Sequence, residues 1–301
     1  MTRFPDNSRV CFLGDSITQA NGFVSHIVEY YHDNFKESNI NFYNCGIGGT
    51  SSASLFQFFD SDVVVHKPTH IVLMEGINAS QRDILSKPQS DERYAVLKNA
   101  FEAFKKNYAI MCEKCKETGA ELILCTLPPY AEYQKEGGNI LPGAYALLSS
   151  YADFQRQFAR ENGYELIDIH AYMTKAMQTQ TLYGNDRVHP NALGHFVMAK
   201  CILEHQGFEV GEYKEHAQYL SEWIENVRNY RNIMHAEFRF IRDISIPEEE
   251  KKAIVTDYLE NEKYGKETWL KGVAELYLNL FPKKKEYFEN ANRIMEVELK
   301  K

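Results

Sequence analysis

Between residues 8 and 207, strand-like and helical hydrophobic patterns alternate five times, and this alternation constrains the fold more than any other feature of the chain. The strand-like runs are Val10–Leu13, Ile40–Asn44, His70–Glu75, Glu121–Thr126 and Glu165–Ile169. Between and after them come helical spacings. Phe23, Ile27, Tyr30, Tyr31 and Phe35 recur every three or four residues. Further helices are expected from about Thr50–Ser52, over 91–118 before Gly119, over 144–162 before Gly163, and over 191–205 before Gly207. A strand joined through a helix to a parallel neighbour needs a right-handed crossover, and sheets built that way are covered by helices on both faces. The expectation is therefore an α/β domain over residues 1–207, a three-layer αβα sandwich on a five-stranded parallel sheet.

Residues 208–301 carry a different pattern. Ala217, Leu220, Ile224, Val227, Arg231, Met234, Phe238 and Ile241 step by alternating three and four, a heptad seam with one charged interruption. Ile246-Pro247-Glu248-Glu249-Glu250 reads as a stop and a restart, with acids near the positive end of a new helix. Further helices are expected to run to Lys301, one of them opened by Phe281-Pro282. This helical extension is expected to pack on the core, to cover the site or to form a homodimer through the 217–241 seam.

Composition narrows the partners. A net charge of −8 argues against a nucleic-acid or anionic-membrane surface. No apolar run reaches the roughly 20 residues a membrane span needs, and the first residues are too polar for a signal peptide, so a cytoplasmic location is expected. The six cysteines sit in apolar contexts and read as reduced, buried thiols; Cys112-Glu113-Lys114-Cys115 lies inside a helical pattern with no second ligand pair at zinc-finger spacing.

The chemistry concentrates at strand ends. Val10–Leu13 runs straight into Gly14-Asp15-Ser16, and a residue on that turn faces the crevice at the carboxyl edge of the sheet. Ser16 is the candidate nucleophile and needs a base held by an acid. Among ten histidines, His189 stands out, three residues after Asp186 on a loop that Pro190 keeps out of helix. The other candidates read as structural. Asp15 is expected to bond loop N–H groups, and His195 to pack on the last helix. His66 and His70 are separated by Pro68. His170 is a rival base whose neighbour Asp168 alternates to the opposite face, and Lys283-Lys284-Lys285 is a solvated helix face. Gly46-Ile47-Gly48-Gly49 is not a dinucleotide fingerprint, since that motif requires glycine where Ser51 stands, and a nucleotide or flavin binder is disfavoured.

Gly14-Asp15-Ser16, Gly49 after Asn44-Cys45-Gly46-Ile47-Gly48, Gly76-Ile77-Asn78, and Asp186-Arg187-Val188-His189-Pro190 resemble, in order and spacing, the four blocks of the GDSL/SGNH hydrolase family. The resemblance spans about residues 8–206. It implies a flavodoxin-like αβα sandwich and esterase or lipase chemistry with no metal and no organic cofactor. Residue by residue it implies Ser16 as nucleophile, His189 as general base and then acid, and Asp186 as orienting carboxylate. It also implies an oxyanion hole made by the Ser16 and Gly49 backbone N–H groups and the Asn78 amide. One departure stands out: Ala79 and Ser80 follow Asn78 where many members carry Asp.

For the substrate, Thr18-Gln19-Ala20-Asn21-Gly22 resembles family branches that act on acetylated sugars. The polar, aromatic stretch Tyr130–Tyr145 suits a sugar face better than an acyl tail. The expected substrate is a small-molecule or carbohydrate acetyl ester. A lysophospholipase or thioesterase on the same scaffold, or a non-catalytic binding module, are the alternatives.

Overall fold

The computed structural model describes residues 2–292 and divides into two compact units, Met1–His216 and Ala217–Lys301. In the first, β1 (Arg9–Gly14) leads through a single turn, α1 (Ser16–Gln19), to α2 (Gly22–Asn34) and β2 (Asn41–Gly46). Two further single turns, α3 (Ser52–Leu55) and α4 (Phe59–Asp62), precede β3 (His70–Met74). Then follow α5 (Asp91–Glu117), β4 (Glu121–Cys125), α6 (Ala144–Asn162), β5 (Glu165–Ile167), α7 (Ile169–Ala176) and α8 (Ala192–His205).

The five strands form one parallel sheet in the order β2-β1-β3-β4-β5. Strand order reverses direction between β1 and β3, so the loops after them part and leave a crevice at the carboxyl edge. α2 packs with α8, while α5 packs with α3 and, through Phe101, Phe104, Tyr151 and Phe154, with α6. The central strands are buried on both faces, which is why Val10–Leu13 and Ile71–Met74 are unbroken apolar runs.

The sheet tolerates no side chain at two of its carboxyl ends. A Cβ on Gly14 would stand 2.4 Å from the Met74 carbonyl, and one on Gly46 would stand 2.3 Å from the Gln19 backbone nitrogen. β5 is shorter than the apolar pattern suggests because Asp168 turns to cap α7, accepting from the Ala171 N–H at 3.1 Å. All six cysteines are free and buried, and burial raises the thiol pKa of Cys112, Cys115, Cys125 and Cys201.

The first unit runs past the expected boundary at 207. Phe208 packs on Tyr30, Tyr31 and Phe35, and His216 bonds Glu29, both on the α2 side of the sheet. No helix among the described residues is long and apolar enough to cross a membrane.

The second unit consists of α9 (Ser221–Phe240), α10 (Glu248–Glu260), α11 (Thr268–Leu280) and α12 (Lys284–Ala291). Its core gathers Ile233, Ala236, Ile241, Val255, Ala274 and Tyr277. Leu220, Val227, Met234 and Ile241 of the heptad seam are buried within the single chain, and the seam's Arg231 is buried with its guanidinium 4.6 Å from the Tyr230 ring. A second copy meeting α9 would do so through its remaining exposed positions. Pro247 and Pro282 restart helices as the sequence indicates, and the expected helical continuation over 293–301 lies outside the described residues.

The Lys283–Lys285 run departs from expectation. Lys285 is exposed, but Lys284 pairs with Glu237 and Glu248, each at 2.6 Å, and Lys251 bonds Glu248 at 2.8 Å. Glu237 is buried on α9, and a buried carboxylate needs cationic partners, so the middle lysine is drawn inward from a run that otherwise faces water.

Candidate active site

Ser16 opens α1 directly after β1, with Asp15 as N-cap accepting from the Ile17 N–H at 3.0 Å. The Ser16 Oγ lies 2.8 Å from His189 Nε2, and His189 Nδ1 lies 2.5 Å from Asp186 Oδ2. The other Asp186 oxygen accepts from the backbone N–H groups of Val188 (3.0 Å) and His189 (2.9 Å). One carboxylate thus holds both the ring and the backbone that carries it. Burial works to raise the Asp186 pKa, but hydrogen bonds from the His189 ring and from the two N–H groups, with the His189 charge, hold it below the usual carboxylate range. An imidazole placed this way can take the serine proton while the carboxylate stabilises the resulting cation.

The loop carrying His189 is fixed by its neighbours. Gly184 donates to the His189 carbonyl at 2.8 Å, and Asn191 donates to Leu182 at 2.9 Å, closing a short antiparallel bridge between Tyr183 and Pro190. Between them Arg187 adopts φ +63°, a left-handed conformation that costs a residue with a Cβ energy and is retained only where the surroundings enforce it. Its buried guanidinium donates to the carbonyls of Ala131 (3.0 Å), Gln134 (2.7 Å) and Gly138 (3.0 Å). The segment after β4, irregular up to Gly143, is therefore pinned against the His189 loop. On it Tyr133 is exposed, with its ring 5.8 Å from Tyr145, which in turn lies 5.8 Å from His170.

Gly49 and Asn78 follow β2 and β3, the two strands that flank β1, so all three proposed donor positions belong to loops at one edge of the sheet. Gly49 adopts φ +79°, a conformation open to glycine at no steric cost. The Asn78 amide donates to the Thr50 carbonyl at 2.9 Å, tying the β3 loop to the β2 loop. Gly48 donates to the Gln19 side chain at 2.5 Å, and Ile47 to the Gly14 carbonyl at 3.0 Å. Asn44 completes the bracing, donating to Thr18 O (2.7 Å) and Asn21 Oδ1 (2.8 Å) and accepting from the Gly46 N–H (2.9 Å).

Two buried carboxyls stand at adjacent strand ends, Asp15 on the nucleophile turn after β1 and Glu75 directly after β3. Burial raises Asp15 to about 6 against the Ile17 hydrogen bond and the charges of His189 and Arg82. Burial raises Glu75 further, to about 8, with the Asp15 charge adding to the rise; the Ser52 hydroxyl and N–H oppose it, short of a full hydrogen bond. Gln155 on α6 locks the same region, donating to the Glu75 carbonyl at 3.0 Å and accepting from Leu127 at 2.9 Å.

The remaining candidates resolve as structural. His195 is buried and stacks on Phe23, although its Nδ1 finds no partner among the described residues, and burial holds its pKa down to about 4. His170 is buried with Nε2 3.3 Å from Ser149 Oγ, and Asp168 is held by both arms of Arg156. His66 stacks on Tyr43, whereas His70 faces Thr69 and Glu121. Reading the sequence alone missed Arg187, Asn44, Gln19, Glu75 and Gln155. Only two of these carried a signal: Arg187 by lying inside the Asp-to-His loop, and Asn44 by standing two residues before a glycine at a strand end.

Comparison with known proteins places the chain in a family. A family profile described as GDSL-like Lipase/Acylhydrolase matches residues 10–202. An acetylxylan esterase of Geobacillus stearothermophilus is 27% identical over 218 residues, covering 67% of this chain and 94% of that protein. Among solved structures, a gut microbial diltiazem-metabolizing enzyme superposes with a TM-score of 0.78 at 19% identity, over 98% of this chain and 96% of its own. The acetylxylan esterase Axe2 of Geobacillus stearothermophilus superposes with a TM-score of 0.57 at 24% identity, over 69% of this chain and 98% of its own. At these identities the structural matches establish the fold, which the first of them shares over nearly the full length.

Proposed function

Since the chain belongs to the GDSL-like lipase/acylhydrolase family and is an ester-cleaving hydrolase, we propose that it removes a short acyl group, most simply acetyl, from a carbohydrate ester through an acyl-enzyme on Ser16. The observation that carries the reading is the continuous hydrogen-bond path from Ser16 Oγ through the His189 ring to Asp186.

In this mechanism Ser16 Oγ attacks the acyl carbonyl as its proton passes to His189 Nε2. The tetrahedral oxyanion is met by the Ser16 and Gly49 N–H groups and the Asn78 amide. His189 then returns the proton to the departing alcohol, leaving the acyl group on Ser16. A water, deprotonated by the same ring, attacks that ester, and collapse of the second tetrahedral species frees the acid and restores the serine.

Two features support the short-acyl, sugar-alcohol reading. The side chains of His189 and Asp186 are 47% and 52% exposed, so the reacting centre lies open to water and to a bulky alcohol rather than at the foot of an apolar tunnel. The acetylxylan esterase relative points the same way. A panel of p-nitrophenyl esters with acetylated xylo-oligosaccharides tests it. Turnover is expected on the acetyl compounds, and octanoate hydrolysed faster than acetate, or preference for lysophospholipid or acyl thioester, would replace the substrate assignment. Failure of Ser16 to react with a fluorophosphonate would overturn the acyl-enzyme itself.

A further inference from the structure

On α2, His26 and Glu29 stand one helical turn apart on the same side, and the chain after α8 crosses this side and delivers His216 to them. His216 Nδ1 lies 2.8 Å and His26 Nδ1 3.9 Å from the same oxygen, Glu29 Oε2. The two imidazole rings are 4.0 Å apart, centroid to centroid. Among the described residues, these three form the one group of three or more histidine, cysteine or carboxylate side chains whose ligand atoms all fall within 4.8 Å of one another.

The geometry points to a binding site for a divalent transition-metal ion of zinc-like character at His26, Glu29 and His216, separate from the ester-cleaving residues. Zinc takes nitrogen and carboxylate oxygen at about 2.0–2.2 Å, which places tetrahedral ligand atoms roughly 3.3 Å from one another. The observed 2.8 Å and 3.9 Å straddle that separation, so modest side-chain rotation brings all three into range. Two imidazoles with one carboxylate favour zinc, cobalt, nickel or copper over magnesium and calcium, which take oxygen ligands almost exclusively.

The surroundings suit a built site. The side chains of His26, Glu29 and His216 are 9%, 18% and 25% exposed, enough for ion entry and a water in the fourth position. Phe196 and Tyr213 pack edge-on against the His26 ring at 5.3 Å and 6.0 Å. Two ligands come from α2 and the third from the segment that runs to the end of the first unit, so the ion would cross-link the two.

The test uses the full, untagged chain, stripped with EDTA and dialysed, and titrated with zinc chloride by calorimetry while its Tm is followed. Wild type is expected to bind a single tight zinc ion and gain Tm as zinc is added. His216→Ala and Glu29→Gln are each expected to weaken binding at least about tenfold and to lose the Tm gain, with circular dichroism reporting that they fold. Cobalt(II) bound to the wild-type chain is expected to give the intense visible bands of a tetrahedral nitrogen–oxygen site, a readout that needs no variant. Zinc affinity unchanged in both variants, or a wild-type chain that yields no tetrahedral cobalt spectrum, would overturn the site.

Discussion

The Asn78 side chain donates to the Thr50 carbonyl at 2.9 Å, joining loops that leave β3 and β2 across the end of β1. A carboxamide has two N–H donors, so one can fix its orientation while the other meets a developing oxyanion. With Ala79 and Ser80 following it, Asn78 is braced by the adjacent β2 loop. Asn78→Ala is expected to lower kcat by about 10²–10³ with a smaller change in KM, measured on p-nitrophenyl acetate, because the donor acts chiefly in the transition state. An unchanged kcat would remove Asn78 from the oxyanion site.

Ser16 and Asp186 probe the two ends of one hydrogen-bond path. Ser16→Ala is expected to lose activity by about 10⁴ or more and all fluorophosphonate labelling. Asp186→Asn, which keeps shape but alters the ring's tautomer, is expected to cost about 10⁴ in kcat. Asp186 also accepts two backbone N–H groups, so Asp186→Ala is expected to lower Tm, whereas Ser16→Ala leaves it nearly unchanged; paired melts and kinetics separate the effects.

Arg187 offers a test of positioning apart from chemistry. Its guanidinium satisfies three carbonyls of the 131–138 segment, and Arg187→Met leaves all three without that donor. A loss of about 3 kcal/mol in stability is expected from urea melts, since buried acceptors left unpaired cost about 1–3 kcal/mol each before relaxation. Arg187→Lys is expected to recover only part, because an ammonium lacks the planar fork. Any drop in turnover should be accompanied by an altered KM, as the Tyr133-bearing wall loosens.

Glu75 makes stability depend on pH. Its folded pKa, about 8, lies above the ordinary 4.5, so between these values the folded chain holds a proton that the unfolded chain has released. Its contribution is therefore intact below about 4.5 and declines as pH rises toward 8. Asp15, raised to about 6, contributes in the same sense at lower pH. Glu75→Gln, neutral at every pH, is expected to gain on wild type by on the order of 2 kcal/mol between about pH 6 and about pH 8, measured by urea melts. A difference that is flat with pH would show that the Glu75 carboxyl is ionised in the fold.

Periodicity along the chain was sufficient for the sheet, its five strands and the helical layers, and spacing singled out Ser16, Asp186 and His189, whose side chains the fold brings into hydrogen-bond reach. Those features depend on local rules: alternation selects parallel crossovers, and a strand running into Gly-Asp-Ser presents its turn at the crevice. Tertiary structure alone decided the rest, because it depends on which groups water is taken from and which distant groups replace it. Lys284 turned inward only because Glu237 is buried. Arg187 became the anchor of a loop some fifty residues earlier, and Glu75 became a buried carboxyl whose pKa is raised by loss of water. His26, Glu29 and His216 became neighbours when the chain beyond α8 crossed α2. Burial and partnering of charge are properties of the packed molecule, and the order of residues along a strand or helix does not encode them.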